Sequence, residues 1–128
     1  MIILWAIMLN KYAIDLLNYL YYTNNMEIVE TSLFTKEITR ILTDDEYKAL
    51  QNALVTNPKS GAVIKGSGGL RKMRWKVQGS GKSGGIRTIY YYQESESLLL
   101  MIYVYEKSKT ENLTPKQIKL LRKTFIEE

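Results

Sequence analysis

The amino-acid sequence predicts an α+β fold: an N-terminal strand and two helices, followed by an antiparallel β-meander and a C-terminal helix. Three observations predict it. Apolar residues recur at helical spacing in two blocks before residue 57 and in one block after residue 114. Between those blocks lie alternating or continuously apolar runs, rich in β-branched and aromatic residues and separated by glycine-rich or polar turns. The chain has 128 residues, 45% of them hydrophobic, which suits a single domain with one core.

Residues 1–25 differ in character from everything after them. The apolar run Met1 to Leu9 is too short to span a bilayer, and the basic start and small-residue cleavage site of a secretory signal are not evident. The segment is rich in Ile, Leu, Asn and Tyr with almost no Gly, Glu or Arg, which is how translated AT-rich untranslated sequence reads. Met26 is therefore expected to be the native start, with 1–25 an extension and 26–128 the domain. The alternative is an added amphipathic helix packing Leu9, Tyr12, Leu16 and Tyr19 or Leu20 onto the domain. No membrane association is expected, and the location is expected to be cytoplasmic.

From Met26 the pattern becomes orderly. Glu27 to Thr31 alternates and reads as a short strand. Phe34, Ile38, Ile41 and Leu42 then fall at helical spacing, with Ser32 available as the cap. Thr43 and Glu46 have capping-box spacing and open a second helix carrying Tyr47, Leu50 and Leu54, which ends by Asn57 because the residue before Pro58 is pushed out of the helical region. A strand is predicted from about Leu70 to Val77, and a glycine-rich loop runs from there to Gly85. Ile86 to Gln93 reads as the next strand, Glu94 to Ser97 as a polar hairpin turn, and Leu98 to Tyr105 as a central strand buried on both faces. Thr114, Pro115 and Gln117 combine an N-cap, a first-turn proline and a capping-box partner, opening a helix with Ile118, Leu121 and Phe125 inward.

Function is written most clearly between Lys65 and Arg87. No acidic residue occurs between Glu46 and Glu94, whereas Lys48, Lys59, Lys65, Arg71, Lys72, Arg74, Lys76, Lys82 and Arg87 all fall there. The formal net charge is +5 and the isoelectric point about 9.3. So much charge of one sign repels itself and implies an anionic partner. On a strand, Met73, Trp75 and Val77 would face a core while Lys72, Arg74 and Lys76 form a basic strip on the other side. That strip has two readings: a phosphate-binding surface, or the solvated outer face of a half-exposed sheet. Flanking glycines, such as Gly68, Gly69, Gly84 and Gly85, suit loops that a phosphate chain can approach closely.

Several chemistries are excluded. The chain has no cysteine and no histidine, so disulfides, thiolate metal sites and imidazole acid–base catalysis are out, and neither metal nor cofactor is expected. Gly79 to Ser83 looks like a nucleotide-binding P-loop, but Lys76 stands where that motif needs its first glycine.

The order of elements, the basic strand and the Gly85-Ile86-Arg87-Thr88-Ile89-Tyr90 run together resemble the RelE/ParE superfamily of bacterial toxins, closest to the HigB type. The resemblance rests on Asn57-Pro58, Gly66 to Lys72, Arg74-Trp75, Gly81 to Gly85, Arg87 and Ile89 to Tyr91, with a matching tail at Tyr105 to Lys107 and Leu113 to Pro115. It covers Met26 to about Phe125. It implies a RelE-like fold and a toxin of a type II toxin–antitoxin system. It also implies a ribosome-dependent, metal-independent endoribonuclease (an mRNA interferase) that arrests growth by cutting mRNA through 2′-hydroxyl attack. The implied partners are a cognate antitoxin carrying a helix-turn-helix DNA-binding domain, the ribosome and mRNA. By resemblance Lys72, Arg74, Arg87 and Lys107 are the catalytic candidates, and Arg71, Lys76, Lys82 and Ser83 the RNA-binding ones. The family's catalytic tyrosine and further arginine have no counterpart near the C-terminal side, where Ser108 and Asn112 stand. Lysine, unlike arginine, can trade a proton when its neighbours disfavour its charge, and Lys72 stands beside Arg71, Arg74 and Lys76.

Two other functions fit the same fold. One is a ParE-like inhibitor that binds a topoisomerase and cleaves nothing. The other is a plain RNA-binding module, which would use exposed aromatics such as those among Tyr90 to Tyr92 as stacking platforms.

Overall fold

The computed structural model describes residues 26–77, 84–110 and 112–127. The expectations for residues 1–25, and for Lys82 and Ser83, lie outside the described residues. Strand β1 (Glu27–Glu30) leads into helices α1 (Ser32–Ile41) and α2 (Asp44–Thr56). A short strand β2 (Ala62–Val63) precedes β3 (Arg71–Trp75), β4 (Ile86–Gln93), a 3-10 turn (Glu94–Glu96) and β5 (Leu98–Glu106). Helix α3 (Pro115–Phe125) follows.

The caps form largely where side-chain chemistry dictates. Thr43 with Glu46 and Thr114 with Gln117 make reciprocal capping boxes, and Pro115 opens α3 without an orphaned N–H. The cap of α1 is one residue earlier than expected: the Phe34 N–H donates to Thr31 Oγ1, and Ser32 is already helical. Thr31 is favoured because its extended backbone also joins β5, its N–H donating to the Met101 carbonyl.

The five strands lie in the order β1-β5-β4-β3-β2. β3, β4 and β5 form the expected antiparallel meander, β1 runs parallel to β5, and β2 pairs Ala62 with Lys72 and Val63 with Arg71. Nothing in its two residues announces β2 as a strand. It exists because the turn after it closes: the Ile64 N–H donates to the Leu70 carbonyl, Gly66, Gly68 and Gly69 take positive φ, and the buried Ser67 hydroxyl donates to the Ile64 carbonyl.

Both faces of the sheet are packed. On one, Ile28, Met73, Ile86, Tyr90, Leu99, Met101 and Val104 meet Phe34 and Ile38 of α1 and Leu50 and Leu54 of α2. On the other, Val29, Leu70, Ile89, Leu98, Leu100 and Ile102 meet Ile118 of α3 and Ile126 just beyond it. A β-bulge decides which face several side chains take. Ile89 pairs with Tyr103 but Tyr90 pairs with Met101, so Ile102 is an extra residue in β5. Before it Leu99 and Met101 face α1 and α2; after it Val104 does, and Tyr103 and Tyr105 are turned to the opposite side. The Thr31 hydroxyl donates to the carbonyl of the bulged Ile102 at 2.7 Å, so one side chain both caps α1 and satisfies the irregular strand. Among the described residues no helix is long and apolar enough to cross a membrane.

Candidate nucleic-acid interface

Strand pairing sets the site, because residues directly opposite one another share a face of the sheet. Arg74 of β3 lies opposite Arg87 of β4, and Arg87 lies opposite Tyr105 of β5. Two residues along, Lys72 lies opposite Ile89, and Ile89 opposite Tyr103. Two rows of three side chains therefore cross the α3 side of the sheet, toward the end where β4 begins. Lys72 and Arg74 share that face, as the alternation of β3 led one to expect, and Arg87 joins them from β4.

Their surroundings differ. Arg74 is exposed and Lys72 half-buried, whereas Arg87 retains only 8% of its accessible surface. A cation that deep is more than part of a solvated face. Arg87 Nη1 donates to the carbonyl of Ile86 at 3.2 Å, and among the described residues no carboxylate pairs with it. Lys72 Nζ donates to Asn112 Oδ1 at 3.2 Å, linking the strip to the segment that leads into α3.

The remaining candidates divide. Lys76 is exposed just past the end of β3, and the Lys107 N–H donates to the Gly85 carbonyl at 3.2 Å, which leaves its exposed side chain at the same end of the sheet. Gly85 is required there, since a Cβ would lie 2.9 Å from the Trp75 carbonyl oxygen and its φ is +110°. Arg71 is not with the cluster. It alternates to the α2 side, opposite Tyr90, and its Nη1 donates to the carbonyls of Gly61 at 2.7 Å and Lys59 at 3.3 Å. Tyr90 holds the same connection, accepting from the Gly61 N–H and donating to the Pro58 carbonyl. Arg71 thus fastens the link between α2 and β2.

Sequence reasoning missed Tyr103 and Tyr105 as site residues: both read as part of a buried central strand, and Tyr105 otherwise only as part of the tail that carries the resemblance. Their rings lie 6.1 Å apart beside the arginine row. The Tyr105 hydroxyl is buried without a hydrogen-bond partner among the described residues, although the Leu113 backbone is near enough to influence it. Burial pushes this hydroxyl above the usual tyrosine range, opposed chiefly by the positive charge of Arg87 and then by the Leu113 backbone, with Arg74 adding less. It stays neutral and can donate. The available signal was two hydroxyl-bearing residues at i and i+2 in an otherwise aliphatic run, but their face depends on a bulge that no local pattern reveals.

Fixed guanidinium groups, a mobile ammonium and a neutral phenol on one rigid sheet suit an anion such as a phosphodiester. Among the described residues no group of three acidic side chains is placed to hold a metal ion. A family model described as the RelE toxin of the RelE/RelB toxin–antitoxin system matches residues 26–126. A solved structure of the E. coli toxin RelE, an arginine-to-alanine double mutant in the free state, is similar at 19% identity and a TM-score of 0.47. That match covers 66% of this chain and 85% of the other.

Proposed function

The chain belongs to the RelE toxin family and is a toxin with a cognate antitoxin, and we propose that it acts as a ribosome-dependent endoribonuclease on mRNA. The observation that carries this reading is the cross-strand row of Arg74, Arg87 and Tyr105 with Lys72 beside it. Attack by the 2′-hydroxyl on the adjacent phosphorus breaks the bond to the 5′-oxygen, leaving a cyclic phosphate and a 5′-hydroxyl. The attacking oxygen loses a proton and the leaving oxygen gains one, while negative charge builds on the phosphorane. Arg74 and Arg87 would stabilise that charge, a contribution of about 3 to 4 kcal/mol for a preorganised donor. Lys72 supplies either further charge or the mobile proton, since arginine holds its proton too tightly to serve. Lys76 and Lys107 would extend the contact along the RNA backbone, with the ribosome supplying much of the substrate alignment. The antitoxin is proposed to carry a helix-turn-helix domain and to cover this face or hold the toxin away from the ribosome.

The test is cleavage of mRNA on translating ribosomes by the purified toxin, beside the same RNA free in solution. Cleavage is expected on the ribosome and little or none of the naked RNA. The R74A/R87A double variant should lose both cleavage and growth arrest. If that variant arrests growth as wild type does and neither cuts mRNA, a ParE-like action on a topoisomerase takes the place of the nuclease. Lys72→Arg keeps the charge but not the transferable proton: retained cleavage assigns Lys72 to charge stabilisation, and lost cleavage to proton transfer.

A further inference from the structure

Tyr105 is a described residue whose chemistry the fold leaves unused. Its side chain is 5% exposed, its hydroxyl has no hydrogen-bond partner among the described residues, and it stands directly across from Arg87. A buried phenol ordinarily finds a partner, because leaving one orphaned costs stability that replacement by phenylalanine would recover. The packing uses the ring and not the hydroxyl: Tyr105 lies against the Tyr103 ring, and β5 is aliphatic at Leu98, Leu99, Leu100 and Ile102. The hydroxyl is thus a donor held ready beside a deeply set cation, on the side of the sheet where the basic side chains converge.

We propose that the Tyr105 hydroxyl donates a hydrogen bond to a non-bridging oxygen of the scissile RNA phosphate, completing with Arg87 and Arg74 a three-donor anion hole. The proposal rests on the nuclease reading above. Three features fit it. The arginines and the tyrosine occupy successive strands in one register row, so their spacing is fixed by the backbone ladder rather than by flexible loops. The hydroxyl is held neutral by burial and can donate without first binding a proton. The neighbouring covering segment is joined to the strip by an exposed side-chain hydrogen bond, from Lys72 to Asn112, and the backbone of its Leu113 acts on the hydroxyl. A phosphate engaging Lys72 competes directly with Asn112 and so loosens the cover over Tyr105. The donor becomes satisfied when substrate is bound, which makes its contribution larger in the complex than in the free protein.

The experiment compares wild type and Tyr105→Phe as full-length chains, measuring thermal melting, ribosome binding and single-turnover mRNA cleavage on translating ribosomes. Phenylalanine keeps the ring and removes only the orphaned oxygen. The expected result is a melting temperature equal to or above wild type, ribosome binding within about twofold, and a cleavage rate reduced roughly 100-fold. Tyr105→Leu should lose cleavage to the same extent, since the ring is not the reacting group. Should wild type cleave and Tyr105→Phe cleave within twofold of it, the Tyr105 assignment falls while the nuclease reading stands. A cleavage loss accompanied by a matching fall in melting temperature or in ribosome binding would likewise overturn it, giving Tyr105 a structural role. If wild type itself leaves ribosome-bound mRNA intact, it is the nuclease reading that fails.

Discussion

Arg74 and Arg87 face each other across two strands, yet one is exposed and the other nearly enclosed, so the same substitution has different consequences. Arg74→Ala should leave the melting temperature unchanged and reduce cleavage roughly 100-fold, because a solvated strand-face cation contributes little to packing. Arg87 holds a charge away from water with no carboxylate beside it among the described residues, which is costly for the folded state. Arg87→Met, which fills similar space without charge, is therefore expected to melt at or above the wild-type temperature while cleavage is lost, measured by calorimetry and the ribosome assay. Glu27 makes a second residue-scale case. Its Oε2 is buried without a partner among the described residues, and burial first, then the charge of Glu96, raises its pKa above the ordinary glutamate value. The fold consequently binds this proton more tightly than the unfolded chain, and the associated stability is present at acid pH and lost as pH rises through the raised value. Glu27→Gln should raise the melting temperature at pH 7, and the gain should vanish below about pH 4, where wild type is also protonated.

At the scale of elements, Thr31 connects three structures: the end of β1, the cap of α1 and the bulge in β5. Its hydroxyl accepts from Phe34 and donates to the Ile102 carbonyl, in a position only 3% exposed. Thr31→Val keeps the shape and removes both bonds. The cap is worth about 1 kcal/mol and an unpaired buried carbonyl costs about 1 to 3 kcal/mol, so a loss of roughly 2 to 4 kcal/mol is expected in denaturant unfolding. Thr31→Ser retains the hydroxyl and should lose about 1 kcal/mol or less. Because the bulge aims Tyr103 and Tyr105 at the arginine row, Thr31→Val should also lower cleavage at temperatures where the protein remains folded.

For the whole molecule, the charge distribution governs encounter and the two packed faces govern stability. Ribosome binding through the basic face should weaken steeply as salt rises, because each phosphate contact releases condensed counterions. A salt titration of ribosome affinity checks this, and a flat response would point to apolar contact instead. We expect a chain beginning at Met26 to fold and to melt within a few degrees of the full-length protein; a large drop would show that residues 1–25 pack against the domain.

The sequence by itself determined what depends on neighbours along the chain. Helix starts follow from Thr43 with Glu46 and from Thr114 with Pro115 and Gln117, because capping is a contact between residues three apart. The basic strip of β3 and the buried run of β5 were legible because side chains alternate with a period of two. Tertiary structure alone decided what depends on which strand meets which, and in what register. The bulge at Ile102 turns Tyr105 toward Arg87, yet it is defined only by pairing with β4 and is supported by Thr31, 71 positions away. Arg87 is enclosed, and Arg71 diverted to the Gly61 and Lys59 carbonyls, by contacts that a charge pattern cannot encode. Charge and periodicity are properties of a segment, whereas burial and the assembly of donors around one point are properties of the packed sheet.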